Sequence, residues 1–577
     1  MHLHPSPSLS DTKGSHRDSS TKQEIGSDKT KQWRPSYHIT APHGWLNDPC
    51  GLLYDPSTGL YHLSYQWNPK GNDWGNISWA HCVSSDLLTW KQDTEPCLAP
   101  SAEYDRCGVF TGCRRNGAID GEPGTLTTVY TSVKSLPIHY TLPYVFGSES
   151  LSLATSKDGG TTWQRIDCNP ILPGPPKHLQ VTGWRDPFIT QWSAILKQPG
   201  AIPSSNLCGF ISGGIAGETP TVFVYSINPQ NLREWIYVGL LVRIEPRSQP
   251  SQWSGDMGVN WEVANFVSLT DDTNRTHDFV IMGAEGTSTR GKPRRRAARA
   301  QLWMSIDVCS NTKTQDQALA TLPDNMRHEQ GWSGVLSIPR VVNMITLHCV
   351  MRARCSELID ITSIKLEVDP RGTYTVRTLG IRPDPRVEKL RSKAHRSFLA
   401  DISLQGAGDH PTPPDTGLFT KTSKWELKAE ILVSNCCTEV GLFIDHGLDA
   451  QHRTTLSWQV AIEKFIILRP SSIEPEIDHD PESAAHTLFT FETERGEQKQ
   501  ETLRIHAFWD ASVLEVFINE RTVISTRIYL SPDKQNQSRL HFFARGGDGE
   551  PDPSMEASPA LLLQADIWDE LDTAGLL

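Results

Sequence analysis

The sequence predicts an all-β protein, a β-propeller followed by a β-sandwich, and three observations predict it. Strand-like units closing on a serine-containing turn recur through the N-terminal half at near-constant spacing. The 42 glycines and 39 prolines punctuate the 577 residues with turns, and 18 tryptophans supply broad apolar surfaces. Beyond a basic, proline-containing stretch the alternation resumes with the turn spacing of two packed sheets.

Composition narrows the partners. The chain is 37% hydrophobic and 21% charged with a mean hydropathy of -0.41, values of a globular protein. No apolar run is long enough to span a bilayer, so no membrane partner is expected. A net charge of -12 argues against nucleic acid. The twelve cysteines lack metal-ligand spacing and read as buried free thiols, so no metal is expected. Residues 1–32, rich in Ser, His, Lys and Asp without an apolar core, are expected to form a disordered tail and not a secretory signal, which places the protein in the cytoplasm.

The elements follow in order. The stretch from Tyr61 to Trp67 alternates as a strand, and Ile77 to Val83 reads as another. This unit ends in Ser84-Ser85-Asp86 and then Trp90. The same ending returns as Ser156-Lys157-Asp158 with Trp163 and as Ser226-Ile227-Asn228 with Trp235. A fourth echo, Leu302 to Asp307 with Ser305, lacks the closing tryptophan. Such repetition is the mark of a propeller, and blades usually run about 40 to 50 residues, so these units must carry sizeable loops. The propeller is assigned to 33–380 and a linker, with a helical piece over Val387 to Lys393, to 381–395. The sandwich takes 396–577, with strands at 425–433, 439–445, 503–510, 513–518 and 523–529. The basic run Lys292 to Arg296 and the acidic Glu474 to Glu482 read as solvated loops.

Three carboxylates share one place in the repeat. Asp48 lies in a turn where Pro49 restricts the backbone and Gly51 lets the chain reverse. Asp186 opens the third unit and Glu262 the fourth. Any one alone reads as a turn or a salt bridge, with Arg185 available to pair Asp186. First strands of blades line a propeller's channel, so the three acids should converge there. Crowded acids cannot all ionise comfortably, so one should have a raised pKa. Retaining glycoside cleavage needs such a set, with a nucleophile and an acid roughly 5 to 5.5 Å apart. Gln66, Trp74, Phe110 and Thr111 would supply hydrogen bonds and an apolar wall for a sugar.

The ordered motifs Trp45-Leu-Asn-Asp-Pro-Cys-Gly51, Phe110-Thr-Gly112, Trp184-Arg-Asp-Pro187 and Trp261-Glu262 resemble those of glycoside hydrolase family 32, the invertases, inulinases and fructosyltransferases. Phe508 to Asn519 and Thr526 to Tyr529 are similar to that family's sandwich signature. The resemblance implies five blades, no cofactor, and a small-molecule sugar substrate such as sucrose or fructo-oligosaccharides. It implies Asp48 as nucleophile, Glu262 as acid/base, and Asp186 as the group that binds sugar hydroxyls and stabilises the transition state. Trp45, Asn47 and Arg185 join the substrate-binding set by the same resemblance.

Three departures stand out. Cys50 replaces a common Asn, and Val263-Ala264 replaces a common Cys-Pro, as in filamentous-fungal intracellular invertases and fructosyltransferases. That likeness points to sucrose and short oligosaccharides. Between Asp307 and Trp332 the family carries inner strands of the fifth blade, whereas Val308 to Gln330 is polar without a strand pattern. The fifth blade is therefore expected to be incomplete. Two readings follow, a fructosidase with transfer capacity and a catalytically impaired sugar-binding homologue.

Overall fold

The computed structural model describes residues 33–287, 300–306, 310–317, 322–404, 417–448, 450–470, 477–547 and 558–575. The expected N-terminal tail and the basic run at 292–296 lie outside the described residues, as does part of the acidic loop.

The described chain is almost entirely β-structure, in a propeller and a sandwich. Four antiparallel meanders form successive blades. The first holds β1 (Gly44–Asp55), β2 (Leu60–Asn68), β3 (Ser78–Ser84) and β4 (Lys91–Gln92), the second β5 (Gly108–Asn116), β6 (Leu126–Val133), β7 (Glu149–Ser156) and β8 (Gln164–Arg165). The third holds β9 (Val181–Gln191), β10 (Leu207–Ile215), β11 (Thr219–Asn228) and β12 (Asn231–Leu240). The fourth holds β13 (Asn260–Thr270), β14 (Thr276–Glu285), β15 (Ala300–Ser305) and β16 (Ser310–Gln317). The first strands β1, β5, β9 and β13 are neighbours in that order around the channel.

The sequence repeat has a structural cause. Ser84, Ser156 and Ser305 end the third strands of their blades, and Ser226 lies near the end of β11. The closing tryptophans perform one task three times. The indole N–H of Trp90 donates to the Leu87 carbonyl, that of Trp163 to Gly160 and that of Trp235 to Leu232, at 3.0, 2.9 and 2.9 Å. Each ring thereby packs over its own turn and satisfies a carbonyl that the turn would otherwise strand.

The fifth blade differs. After β16 the described chain holds one helix, α1 (Asp324–Gln330), and a two-residue strand, β17 (Trp332–Ser333), that pairs in parallel with β1. Next come β18 (Arg340–Ala353), β19 (Lys365–Val368) and β20 (Tyr374–Pro383), in the sheet order β19-β20-β18. A hairpin of Phe489–Glu492 and Gln498–Gln500 continues this sheet, pairing with the far end of β18 at Val350, Arg352 and Ala353. Among the described residues no four-stranded meander forms here. One expectation is corrected: the polar stretch after Asp307 is not free of strands, because β16 pairs with β15 across Ser310 to Gln317. Backbone pairing with an existing edge suffices where side-chain alternation is absent.

Past a 3₁₀ helix at Pro385–Lys393, capped by the Asp384 side chain, two six-stranded sheets form the sandwich. Their facing sides bury Trp425, Leu427, Leu442, Trp458, Phe465 and Trp509 in one core. The two lobes are fastened by a buried carboxylate. Asp510 accepts the backbone N–H groups of Ser36, Tyr37 and His38 and the His38 ring, and Glu515 accepts from Arg340.

Candidate active site at the mouth of the propeller channel

One local device recurs on all four first strands. A register shift interrupts β1 between Leu46 and Pro49, β5 between Val109 and Gly112, β9 between Arg185 and Phe188, and β13 between Glu262 and Asn265. A β-bulge re-aims the side chains it contains. The bulges hold Asp48, Phe110 with Thr111, Asp186, and the backbone following Glu262. Asp186 at φ +61° and Val263 at φ +51° occupy the left-handed region that non-glycine residues seldom adopt. Neighbours stabilise both: the Asp186 N–H donates to Thr131 Oγ1 at 2.8 Å, and the Val263 N–H donates to Asp186 Oδ2 at 3.0 Å.

Asp48 is oriented by hydrogen bonds. Thr111 Oγ1 donates to its Oδ2 at 2.7 Å and Asn47 Nδ2 to its Oδ1 at 3.0 Å. Gln66 in turn donates to Thr111 at 2.7 Å and accepts from Asn47 at 3.3 Å, closing a ring of three polar side chains behind the carboxylate. The buried Cys50 thiol donates to the Asp48 carbonyl at 3.3 Å. Beside this group Trp45, Phe110 and Ile77 pack together, and Trp74, half exposed, sets its edge against Phe110 at 5.8 Å between centroids.

Arg185 is the shared cation. Its Nη2 lies 2.7 Å from Glu285 and 3.6 Å from Glu262, its Nη1 3.5 Å from Glu149, and its Nε 3.8 Å from Asp186. The sequence offered Arg185 mainly as a partner for Asp186, yet Glu285 is nearer. Burial lifts the Asp186 carboxyl well above the ordinary range; Arg185 and the Val263 N–H oppose this, while the charges of Asp48 and Glu262 reinforce it. Glu149 is likewise raised by burial, against the pull of Arg185 and the Trp184 N–H. Glu262, with its side chain 25% exposed, faces solvent more than either. The set can therefore carry a proton and a negative charge side by side.

The ten residues singled out in the sequence fall into two clusters: Asn47, Gln66, Thr111, Phe110, Trp45 and Trp74 surround Asp48, and Arg185 lies with Asp186 and Glu262, the charge of Asp48 acting on Asp186. Sequence reasoning missed Glu149, Glu285 and Asn260, whose Nδ2 donates to Glu285 at 2.8 Å. The available signal was an acid at the start or end of a β-strand otherwise rich in apolar and small residues, as at Glu149 and Glu285.

Comparison with known proteins places the chain in a family. The profile "Glycosyl hydrolases family 32 N-terminal domain" matches residues 38–315, and "Glycosyl hydrolases family 32 C terminal" matches 386–565. An extracellular exo-inulinase of Aspergillus awamori is 31% identical over 275 residues, which is 45% of this chain and 46% of that protein. A cell-wall β-fructofuranosidase isozyme of Zea mays is 37% identical over 435 residues, 69% of this chain and 62% of that one. The chain thus spans less than two thirds of the length of either relative. The structure of Aspergillus kawachii β-fructofuranosidase complexed with glycerol superposes with a TM-score of 0.78, covering 95% of each chain at 23% identity, a likeness of fold. With both family profiles matched in order, and with the propeller and sandwich they describe present in the structure, the chain belongs to glycosyl hydrolases family 32.

Proposed function

We propose that the chain is a β-fructofuranosidase that cleaves sucrose and short fructo-oligosaccharides with retention and passes the fructosyl group to water or to a second sugar. The observation that carries this reading is the recurrence of a bulge on successive first strands at or beside Asp48, Asp186 and Glu262, with Arg185 near Asp186 and Glu262 and the charge of Asp48 acting on Asp186. The Asp48 carboxylate attacks the fructosyl anomeric carbon while Glu262 protonates the departing glycosidic oxygen. A covalent fructosyl ester forms and the aglycone leaves with that proton. Glu262, now ionised, takes a proton from water or a sugar hydroxyl, which displaces Asp48. Asp186 binds the fructosyl hydroxyls, its carboxyl held above the ordinary range by burial. The names of relatives, an exo-inulinase and a β-fructofuranosidase, support the substrate class.

Purified protein incubated with sucrose should release glucose and fructose, and Asp48→Asn should lose at least about 10³-fold in rate while remaining folded. Equal release by both proteins would refute the assignment. The fifth blade favours a second reading, sugar binding without turnover, since β16 is followed by α1 and β17, and β18, β19 and β20 beyond them build no four-stranded meander among the described residues. Sucrose binding by calorimetry without cleavage would select it.

A further inference from the structure

The helix α1 is preceded by Pro323 and closes on Gly331, which stands at φ +75°. It lies against the loop from Asn68 to Trp74 that joins β2 to β3. Each oxygen of Asp73 takes a partner from this helix: Arg327 Nη2 donates to Oδ1 at 2.5 Å, and His328 Nε2 to Oδ2 at 2.7 Å. Asp324 holds the same guanidinium at 2.8 Å. The backbone is tied as well. Asn72 Nδ2 donates to the Arg327 carbonyl at 2.8 Å, Ser333 Oγ to the Asn72 carbonyl at 2.8 Å, and the Gly44 N–H to the Gly331 carbonyl at 3.0 Å. Asn68 Nδ2 closes the loop from its other side through the Asp73 carbonyl at 2.7 Å.

The residue after Asp73 is Trp74, whose ring stands edge-on to Phe110, and Phe110 precedes the threonine that holds Asp48. A continuous path therefore runs from α1 through Asp73 and Trp74 to the carboxylate. A single exposed ion pair contributes little, since side-chain entropy and salt screening offset it. Here two donors converge on one carboxylate while four further hydrogen bonds tie the backbone around it, so the loop is held as a unit. His328 and Arg327 keep the Asp73 carboxyl below its ordinary range, which agrees with that arrangement.

We infer that α1 is a positioning element for the sugar wall: Arg327 and His328, acting through Asp73, hold Trp74 where its ring meets the sugar. They set affinity for sucrose and not the chemical step. This rests on the reading of the channel mouth as a fructosyl site. Neither Arg327 nor His328 reaches the reacting carboxylates, so their loss removes binding shared by ground and transition states and raises KM at constant kcat.

The test uses the full chain and compares wild type, Asp73→Asn, the double substitution Arg327→Gln with His328→Gln, and Arg327→Lys. Two measurements are made, amide hydrogen exchange over residues 69–76 and steady-state cleavage of sucrose. Asp73→Asn and the double variant should exchange this loop about tenfold faster with the remaining propeller unchanged. Their KM should rise about threefold to tenfold with kcat within about twofold, and Arg327→Lys should restore most of the KM. Equal exchange in all four proteins, or a fall in kcat at constant KM, overturns the inference. An inactive wild type would count against the fructosidase reading alone, because the exchange measurement needs no turnover.

Discussion

Replacing Arg185 by methionine removes one cation from among four carboxylates and nearly preserves side-chain length. The contacts run from 2.7 Å to Glu285 out to 3.8 Å to Asp186, and at an effective dielectric of about 20 each is a gross attraction of roughly 4 to 6 kcal/mol. Desolvation offsets most of that sum, and breaking a buried pair costs about 3 to 5 kcal/mol in net stability. The loss should depend on pH in a set direction. Glu149 and Asp186 already have folded-state pKa values raised above their unfolded values, chiefly by burial. Groups of that kind favour folding at low pH and cost stability as pH rises through the unfolded pKa toward the folded one. Arg185 pulls both values down, so its removal raises them further and widens the window of cost. Each additional proton held by the folded state changes stability by about 1.4 kcal/mol per pH unit. Urea unfolding at pH 7.5 and pH 4.5 should show the full loss at the higher pH and under about 2 kcal/mol at the lower. An equal loss at both values would show that Arg185 acts by packing and not by compensating buried charge.

Two further outcomes test other parts of the molecule. Burial opposes a charge on His38, but hydrogen bonds to Asp510 and Glu515 outweigh it and raise the imidazole from 6.5 to about 9. The stabilisation, about 3 kcal/mol, is fully present below pH 6.5 and is lost as pH rises through about 9. A unfolding series from pH 6 to 10 should show that decline, and His38→Gln should flatten it. At Gly112 a built Cβ would sit 2.0 Å from the Val129 carbonyl oxygen and 2.7 Å from Tyr130 Cα, both backbone atoms that cannot swing aside. Gly112→Ala should cost about 1 to 3 kcal/mol by urea midpoint and lower activity through its neighbour Thr111.

Where local chemistry repeats, the chain is legible without coordinates. Serine turns recur in the first four blades and closing tryptophans in the first three because the chain must end a strand and cover the turn there, so their spacing reports those blades and not the fifth sheet. Asp48, Asp186 and Glu262 could be aligned because each sits in or beside the bulge of a first strand. Less legible were features made by long-range pairing. Strand β16 has no apolar alternation and exists because β15 presents an edge. Glu149 and Glu285 lie in different blades, and the packing of the second and fourth blades against the third brings them to Arg185. The hairpin at 489–500 is short, its first strand only Phe489–Glu492, and nothing local announces that its partner is β18, far upstream.

That hairpin bears on the order in which the protein can be made. The ribosome releases β18 well before its partner, with roughly 135 residues between Ala353 and Phe489. At about 5 to 20 residues per second the interval is of the order of ten seconds. During it the far end of β18 presents unpaired N–H and C=O groups to whatever strand is near. The first four blades can form in sequence as they emerge, but the fifth sheet cannot be finished until much of the second lobe exists. Separately expressed lobes would inherit the same open edge permanently, so a cut at the linker should yield a propeller prone to aggregate, and co-expression of the two pieces should relieve it.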